Sequence, residues 1–536
     1  MIRDDLATAV RLALQALDID PVSARIELER PARREHGDWS TNVALATAKA
    51  AGRNPRELAG ALVERLSADP PAHVEAVEIA GPGFVNFRLA PTWLHDVLAE
   101  VVEAGLEGYG ASDLGAGDRV QLEFVSANPT GPIHVGNGWF ASYGDALGRI
   151  LTRTGHRVSR EYYVNDTGGQ VRRLGASLLA HRHGEPVPED GYPGRYVADL
   201  AAAYDGLDEV TEAGQWAAER ILAGIRSTME SIHIHYDEWY SQASIQESAA
   251  VAETVGVLAG KGCITDEDGA LWFESGAFGD PRERRVLRKS NGDYTYLAGD
   301  IAYHRDKFLV RGFDRVIDVW GADHHGQVAS LRAGVAALGV DPDRLEVRLG
   351  QMISLTSGKM SKRAGNVVDL DDVVADIGAD ATRLLSLLTS IDQAVTIDLD
   401  KVRAESRDSP VFYVQYANTR IASINRVAAE RGVGRAPLTQ VDLGLLTHER
   451  ELDVLRTLSE LPDAVRLAAT DRAPHKVATW VRELADRFHG FYHDCYVMGD
   501  GVSPELTQAR LWLVEAARIG FAIALDLLGV SAPESM

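Results

Sequence analysis

The feature that most constrains the fold is a strand–loop–helix–strand pattern that occurs twice in the middle of the chain. The first copy starts at Arg119 with the strand RVQLEFVS, continues through the loop NPTGPIHVG into a helix over about 137–154 that Gly155 ends, and returns in the strand HRVSREYYV. The second copy comprises the strand RVIDVWG, a polar loop, a helix from about Gln327 and the strand LEVRLGQMI. Two such units predict a parallel sheet with helices on its faces. Sheets of this kind bind ligands at the carboxyl ends of their strands.

The segment before these units predicts a small α+β module in residues 1–110. We expect a helix at about 3–18, and a second helix that begins at Asn54-Pro55-Arg56-Glu57. Asparagine is a favourable N-cap and proline is favourable in the first helical turn. The strands HVEAVEIA and FVNFRL flank Gly81-Pro82-Gly83 and predict a hairpin.

The other boundaries follow from composition and periodicity. The glycine-rich residues 108–118 predict a linker, and the nucleotide-type fold is expected over 118–405. Residues 165–285 predict a largely helical insertion into that fold, and helical periodicity dominates 410–536.

Charge and cysteine content limit the function classes. The 536 residues include 55 basic and 78 acidic side chains, and the net charge of −23 alone predicts no nucleic-acid partner. Cys263 and Cys495 are too few for a disulfide framework and fit a reducing compartment. The N-terminus carries Asp4 and Asp5 where a signal peptide is basic, and Asp526 interrupts the apolar run IGFAIALDLLGV. We therefore expect a cytoplasmic protein without membrane association.

The first chemical motif is His134-Val135-Gly136-Asn137, which lies between a predicted strand and a predicted helix. A helix N-terminus offers unpaired N–H groups and a partial positive charge to a phosphate. Gly136 allows close approach of the backbone, and His134 can donate to phosphate oxygens. Alone, so short a motif more often marks an ordinary turn with a satisfied histidine.

The second motif is SGKMSKRAG, from Ser357 to Gly365, just after a predicted strand. Lysines interleaved with Gly and Ser suit a loop that brings ammonium groups to a triphosphate. Taken alone, a solvated basic turn is an equal alternative.

Together, about 220 residues apart, the two motifs resemble the HIGH and KMSKS signatures of class I aminoacyl-tRNA synthetases. His134 and Asn137 match the two histidines of the first signature, and Lys359 and Lys362 match the lysines of the second. The resemblance implies that these four residues and Gly136 bind ATP, and that the four stabilise the reacting α-phosphate. Asn137 departs from the family pattern, since its amide donates a hydrogen bond but never carries charge.

Longer segments are similar to the arginyl-tRNA synthetases over nearly the whole chain. They are HGDWSTNVA, GPGFVNF, EFVSANPTGPIHVGN, REYYVNDTGGQV, GDYTYLAGDIAYHRDKF, GADHHGQV, YVQYANTRIASINR and FHGFYHDCYV. The resemblance implies a tRNA-contacting α+β module at 1–110, a Rossmann-like class I catalytic domain at 118–405 and an all-α anticodon-binding domain at 410–536. It also implies L-arginine, ATP with Mg²⁺ and tRNA(Arg) as substrates, with arginyl-adenylate as intermediate.

The resemblance also implies an arginine pocket. A guanidinium is planar and always charged, so its pocket needs carboxylates. The positions that match the family's side-chain acids are Glu123 and Asp300, with Tyr296 closing the pocket. Read without the resemblance, Glu123 is an ordinary solvent-facing strand residue and Asp300 pairs with Arg305.

Further positions complete the implied site. Ser126, Asn128 and Gln327 match residues that hold the α-amino and carboxylate groups, although Gln327 is also an ordinary helix-start residue. The loop with Gly321, Asp323 and His324 matches the family's nucleotide loop near ribose and adenine.

Metal sites are weighed and not expected. Adjacent histidines such as His324 and His325 point in different directions, and no suitably spaced third ligand accompanies them, so we expect no zinc. His233 and His235 fit a structural role better.

Several points stay open. Aromatic and basic residues of the C-terminal region fit either RNA stacking or a helical core: Tyr413, Tyr416, Arg420, Arg426, Phe491 and Tyr492. Three other functions remain: a class I synthetase for another amino acid, a small-molecule amino-acid ligase, and a non-catalytic tRNA-binding paralogue. We expect a monomer.

Overall fold

The computed structural model divides the chain into two compact units. It describes residues 2–20, 26–31, 33–247, 249–351, 353–355, 368–398, 402–403 and 409–535. The first unit consists of Met1–Tyr109, Arg420–Glu460 and Asp486–Gly520. The second consists of Gly110–Thr419, Leu461–Ala485 and Phe521–Met536.

The α-helices and strands are as follows. The described helices are α1 (Ile2–Ala16), α2 (Val43–Ala48), α3 (Pro55–Ala68), α4 (Thr92–Gly108), α5 (Val135–Arg153), α6 (Gly169–His183), α7 (Arg195–Ala203), α8 (Val210–Ser231), α9 (Gln242–Glu247), α10 (Ala250–Gly260), α11 (Tyr296–Arg305), α12 (His325–Ala337), α13 (Leu370–Ile377), α14 (Ala379–Ser386), α15 (Pro410–Glu430), α16 (Glu449–Leu458), α17 (Leu461–Thr470), α18 (His475–Asp494) and α19 (Pro504–Leu528). The described strands are β1 (Trp39–Thr41), β2 (Val74–Ala80), β3 (Phe84–Leu89), β4 (Arg119–Phe124), β5 (Arg157–Val164), β6 (Glu238–Ser241), β7 (Ile264–Glu267), β8 (Ala270–Phe273), β9 (Arg285–Arg288), β10 (Arg315–Gly321), β11 (Leu345–Gly350), β12 (Ile353–Leu355) and β13 (Val395–Ile397).

A five-stranded parallel sheet forms the centre of the second unit, in the order β11-β10-β4-β5-β6. Strand β4 is central, and all of it after Arg119 is buried, which is typical of a parallel sheet covered on both faces. Helix α5 connects β4 to β5, and α12 connects β10 to β11. The two βαβ units predicted from the sequence are thereby confirmed.

The segment expected to be a largely helical insertion, 165–285, contains strands as well as helices. Helices α6 and α8 pack against each other, but β6 extends the central sheet beside β5. The Tyr162 and Trp239 rings stack with centroids 4.5 Å apart across this pair. Strands β7, β8 and β9 form a separate antiparallel sheet. Short apolar runs give no periodic signal, so the sequence pattern concealed these strands.

The first unit contains the predicted hairpin. Strands β2 and β3 pair antiparallel, and β1 joins the other edge of β3. The Asn54 side chain accepts a hydrogen bond of 2.9 Å from the Arg56 backbone N–H, so the predicted N-cap of α3 is confirmed. Within the same unit, α4 packs on α16.

No helix in the described part of the chain combines the length and the apolar character needed to cross a membrane.

A buried arginine fastens the C-terminal end of α19 within the second unit. The Arg383 guanidinium donates to Asp145 Oδ2 at 2.5 Å, to the Leu528 carbonyl at 3.1 Å and to the Ile232 carbonyl at 2.8 Å. Removing one partner of a buried hydrogen bond leaves the other group buried and unsatisfied, which is destabilising. This side chain therefore stabilises the unit by holding three separate segments.

We predict that Arg383→Met lowers the free energy of unfolding by about 1–3 kcal/mol, because two carbonyls lose a buried donor while Asp145 keeps its pair with Arg149. Urea unfolding followed by fluorescence measures the change. The matched control is Arg195→Met, whose side chain is 93% exposed and should shift stability by less than about 0.5 kcal/mol. Equal stability of the two variants would contradict the role assigned to Arg383.

Candidate active site

A strained turn at the carboxyl end of β4 begins the site. Val125 and Ser126 both have positive φ, 72° and 44°. A β-branched residue in this region is a genuine outlier, and such strain concentrates at functional sites. The turn places the Ser126 hydroxyl to donate to Glu123 Oε1 at 2.9 Å and to accept from the Tyr163 backbone N–H at 3.0 Å. Ser126 is thus fixed between two strands.

A row of three carboxylates crosses the sheet beneath this turn. Glu123 of β4 is in register with Glu161 of β5 and with Asp318 of β10. Side chains in register point to the same face of a sheet. All three are buried, so the strand alternative that left Glu123 facing solvent is wrong.

Cationic groups from a single helical segment face the row. Helix α11 is followed directly by a π-helical turn, Asp306–Val310, in which the Arg311 N–H donates to the Asp306 carbonyl. Lys307 Nζ donates to Glu123 Oε2 at 2.7 Å and to Asp318 Oδ1 at 2.9 Å. His304 Nε2 lies 2.9 Å from Asp318 Oδ2. Arg311 and the Tyr303 hydroxyl both donate to Glu161.

Burial and pairing shift the pKa values of this cluster in different directions. Burial raises the pKa of Glu123 even though Lys307 opposes the shift. Burial alone would raise the pKa of Asp318, but Lys307 and His304 outweigh it and lower that pKa to about 2. Burial would lower the pKa of Lys307, but Asp318 and Glu123 raise it above its usual value. Lys307 and Asp318 are therefore charged at neutral pH.

Asp300 differs from the row because the described residues give its carboxylate no ion pair. It lies half-buried on α11, and burial raises its pKa to about 6. The alternative pairing with Arg305 is wrong, since Arg305 approaches Glu253 instead, at 3.9 Å. Tyr296 occupies the first position of the same helix and is 79% exposed.

The predicted phosphate loop lies at the start of α5. His134 is the N-cap, and the Asn137 amide oxygen accepts from the His134 backbone N–H at 3.4 Å. A Cβ on Gly136 would lie 3.1 Å from the His134 ring, so glycine leaves room for the imidazole. Burial lowers the pKa of His134, partly opposed by Asp369, so the ring is neutral at pH 7 and donates without carrying charge.

The residues on either side of the second motif form backbone hydrogen bonds with other segments of the second unit. The Val135 N–H donates to the Val368 carbonyl, and the Leu370 N–H donates to the Ile133 carbonyl, at 2.9 Å each. On the other side, β12 pairs in parallel with β13. The segment that follows the basic motif therefore pairs with the His134 loop. Lys359 and Lys362 themselves lie outside the described residues.

The remaining predicted residues lie at the ends of strands or nearby. Gly321 ends β10, beside the end of β4, and Asp323 and His324 form a short 3₁₀ turn directly after it. Gln327 is exposed near the start of α12, and Asn128 is half-buried in the loop after β4. The structure gives Asn128 one internal role, since its carbonyl accepts from the Thr130 N–H at 2.8 Å.

The sequence pattern missed the inner part of this site. Four of its residues were not predicted because they belong to no short motif: His304, Lys307, Arg311 and Asp318. Their spacing along the chain, 304, 307 and 311, is nevertheless that of one helical face, and this was a usable signal.

The structure also describes the residues that the sequence suggested as metal ligands or as RNA-stacking groups. Among the described residues, no group of three His, Cys, Asp or Glu side chains is arranged to hold a metal ion. Of the aromatic residues considered for RNA stacking, Phe491 is fully buried and cannot stack on a base. Tyr492 is exposed, with the Arg420 guanidinium 4.4 Å from its ring centroid.

Comparison with known proteins gives matches along most of the chain. Residues 4–89 match the arginyl tRNA synthetase N terminal domain, 207–390 match the catalytic domain of tRNA synthetases class I (R), and 414–536 match the DALR anticodon binding domain. The arginine–tRNA ligase of Carboxydothermus hydrogenoformans is 44% identical over 530 residues, covering 95% of this chain and 94% of that protein. The chain belongs to the arginyl-tRNA synthetase family. The arginine–tRNA ligase of Frankia alni is likewise 44% identical, over 551 residues and 99% of both chains.

The fold is similar to a solved member of the family. The arginyl-tRNA synthetase of Thermus thermophilus superposes with a TM-score of 0.80 and 23% identity, over 100% of both chains. The family resemblance and the fold class predicted from the sequence are confirmed. The domain boundaries and the individual site residues stay predictions.

We predict that Ser126→Ala lowers the free energy of unfolding by about 1–3 kcal/mol, because the Tyr163 N–H and Glu123 Oε1 lose a shared partner. Thermal or urea unfolding measures it. Ser244→Ala is the matched control, since the exposed Ser244 hydroxyl donates only to the nearby Ser241 carbonyl. A Ser126→Ala variant as stable as this control would disprove the bridging role.

Proposed function

We propose that this chain is an arginine–tRNA ligase, which uses ATP to join L-arginine to the 3′ end of tRNA(Arg). The observation that carries the proposal is the half-buried Asp300 carboxylate beside a charge-compensated acidic row, at the strand ends where α/β sheets bind ligands. A permanently charged guanidinium is the side chain that such a carboxylate suits best. Family membership supports the same substrate.

The proposed reaction has two steps. The arginine carboxylate attacks the α-phosphorus of ATP, and the bond to pyrophosphate breaks, which leaves arginyl-adenylate. The 2′-hydroxyl of the terminal adenosine of tRNA then attacks the adenylate carbonyl, and AMP leaves. Mg²⁺ enters as part of the MgATP substrate.

Each predicted residue then has a role. Asp300 and Glu123 face the guanidinium, Tyr296 covers it, and Ser126, Asn128 and Gln327 orient the reacting end of the amino acid. Catalysis is mainly positioning and electrostatic stabilisation, without a covalent enzyme intermediate.

The nucleotide occupies the ends of two helices and the basic motif. His134, Gly136 and Asn137 approach the phosphates at the N-terminus of α5, where the helix dipole favours a negative charge. Gly321, Asp323 and His324 lie toward ribose and adenine, and Lys359 and Lys362 supply the charge that stabilises the transferring phosphate. Asn137 also caps the helix, because its amide oxygen accepts a hydrogen bond from the His134 backbone N–H. Asparagine therefore has a structural role at this position, where the family pattern has histidine.

The direct test is aminoacylation with purified protein, ATP, total tRNA and each radiolabelled amino acid in turn. We expect a labelled tRNA ester only with arginine. Charging with another amino acid would favour the alternative class I specificity, and activity without RNA would favour a small-molecule ligase. No activity with any of them would favour a non-catalytic paralogue.

The protein is proposed to act as a cytoplasmic monomer. Its two cysteines, Cys263 and Cys495, are both buried and unpaired, which suits a reducing compartment. Light scattering coupled to gel filtration would measure the oligomeric state.

We predict that Asp300→Asn lowers kcat/KM for arginine by at least about 100-fold, because the amide keeps the shape but not the charge that a guanidinium requires. The KM for ATP should change less than twofold. Asp293→Asn is a suitable control, because Asp293 is exposed just before α11. Unchanged charging by Asp300→Asn would contradict the pocket assignment.

We predict that the KM for arginine rises as the pH falls below about 6. Burial raises the pKa of Asp300 to about 6, so the carboxylate becomes neutral below that pH and loses its attraction for the guanidinium. For one ionisation the rise approaches about tenfold per pH unit. Initial rates between pH 5 and 8 measure it, and the Asp300→Asn variant should lack this dependence. A flat profile in the unmodified enzyme would contradict the prediction.

A further inference from the structure

Among the basic side chains that face the carboxylate row, Lys307 is the most deeply buried. Its side chain is 0% exposed, and its ammonium contacts Glu123 Oε2, Asp318 Oδ1 and, at 4.2 Å from the ring centroid, the face of Tyr303. Burying an ammonium costs several kcal/mol unless partners compensate it. A lysine held at such cost between two strands points to a role beyond filling space.

A basic side chain contacts every carboxylate of the row. Lys307 contacts Glu123 and Asp318, His304 contacts Asp318, and Arg311 contacts Glu161 as well as Asp306 of its own segment. The His304 ring lies between the Asp300 carbonyl oxygen, 2.8 Å from Nδ1, and Asp318 Oδ2, 2.9 Å from Nε2. The Asp300 carboxylate takes no part in these pairs among the described residues.

We propose that Lys307 is a positioning residue for arginine recognition. It holds the Glu123 carboxylate in one orientation between its own ammonium and the Ser126 hydroxyl. By pairing with Glu123 and Asp318, it leaves the Asp300 carboxylate, which has no ion pair among the described residues, as the acid that meets the guanidinium. This inference rests on the proposed function.

Removal of Lys307 changes how the neighbouring acids titrate. Without the ammonium between them, the Glu123 and Asp318 carboxylates repel each other, and the pair then titrates with apparent pKa values of its own. The Glu123 side chain also loses one of its two fixed contacts. The titratable groups that surround Glu123, besides Lys307, are Asp318, Glu161, Asp300, Tyr163, Tyr303, His304 and Tyr236.

The test is Lys307→Met, which keeps the length of the side chain and removes its charge. In aminoacylation assays of the full chain, we expect the KM for arginine to rise at least about tenfold, with kcat within about threefold and the KM for ATP within about twofold. We also expect the KM for arginine to gain a second titration, in addition to that of Asp300, which the unmodified enzyme lacks. A purely structural lysine would produce neither the selective KM effect nor the new titration.

Two matched variants complete the design. Lys261→Met removes another hydrogen-bonded ammonium of the same unit, one that donates to the Ala337 and Leu338 carbonyls, and should leave the KM for arginine unchanged. Lys307→Arg keeps the charge and should recover most of the arginine affinity. If Lys307→Met does not fold, Lys307→Met/Asp318→Asn removes both members of the pair, restores charge balance and should still show the raised KM.

The outcomes separate the two proposals. A KM for arginine like that of the unmodified enzyme, with no new titration, overturns the role of Lys307, as does failure of both Met variants to fold. A Lys307→Arg variant as impaired as Lys307→Met also overturns it. If the unmodified chain does not charge tRNA with arginine at all, the proposed function fails instead.

Discussion

Buried like charges repel strongly because a protein interior screens them poorly, and this chain places Glu161, Glu123 and Asp318 side by side across three parallel strands. The compensating groups come from one segment, α11 and the π turn after it. The sheet therefore depends on that segment to bury its acidic face, and Lys307 depends on the row, since both of its ion pairs among the described residues are with Glu123 and Asp318. This mutual dependence fixes α11, and with it the unpaired Asp300, over the carboxyl ends of the strands.

The loop after β4 is also held in place by specific contacts, in this case hydrogen bonds from tyrosine side chains. Three tyrosine hydroxyls donate to successive carbonyls of the loop: Tyr236 to Phe124, Tyr162 to Ala127 and Tyr196 to Thr130. These hydrogen bonds offset the positive φ values of Val125 and Ser126, which cost of order 1–3 kcal/mol each. A turn stabilised in this way is formed before any ligand arrives, so binding does not have to supply the free energy of ordering it.

Local sequence signals predicted the parts of the structure that depend on local physics. The strands of both βαβ units, the N-cap at Asn54 and the β2–β3 hairpin follow from periodicity and turn chemistry. The edge strand β6 does not, because it is only four residues long and its place in the sheet depends on packing. The pairing of Lys307 with Glu123 was not predicted either, because a lysine in an amphiphilic segment is usually solvated. Only the three-dimensional register shows that Glu123, 184 residues away, is its partner.

The π turn at Asp306–Val310 limits which changes of sequence this segment tolerates. Each residue of an α-helix turns the chain by about 100°, so removing one residue here would rotate the following side chains away from the acids they neutralise. Insertions and deletions are consequently far more disruptive in this stretch than exchanges of side chains. Among relatives, we expect its length to be invariant and its variation to consist of coordinated replacements of an acid and the base that faces it.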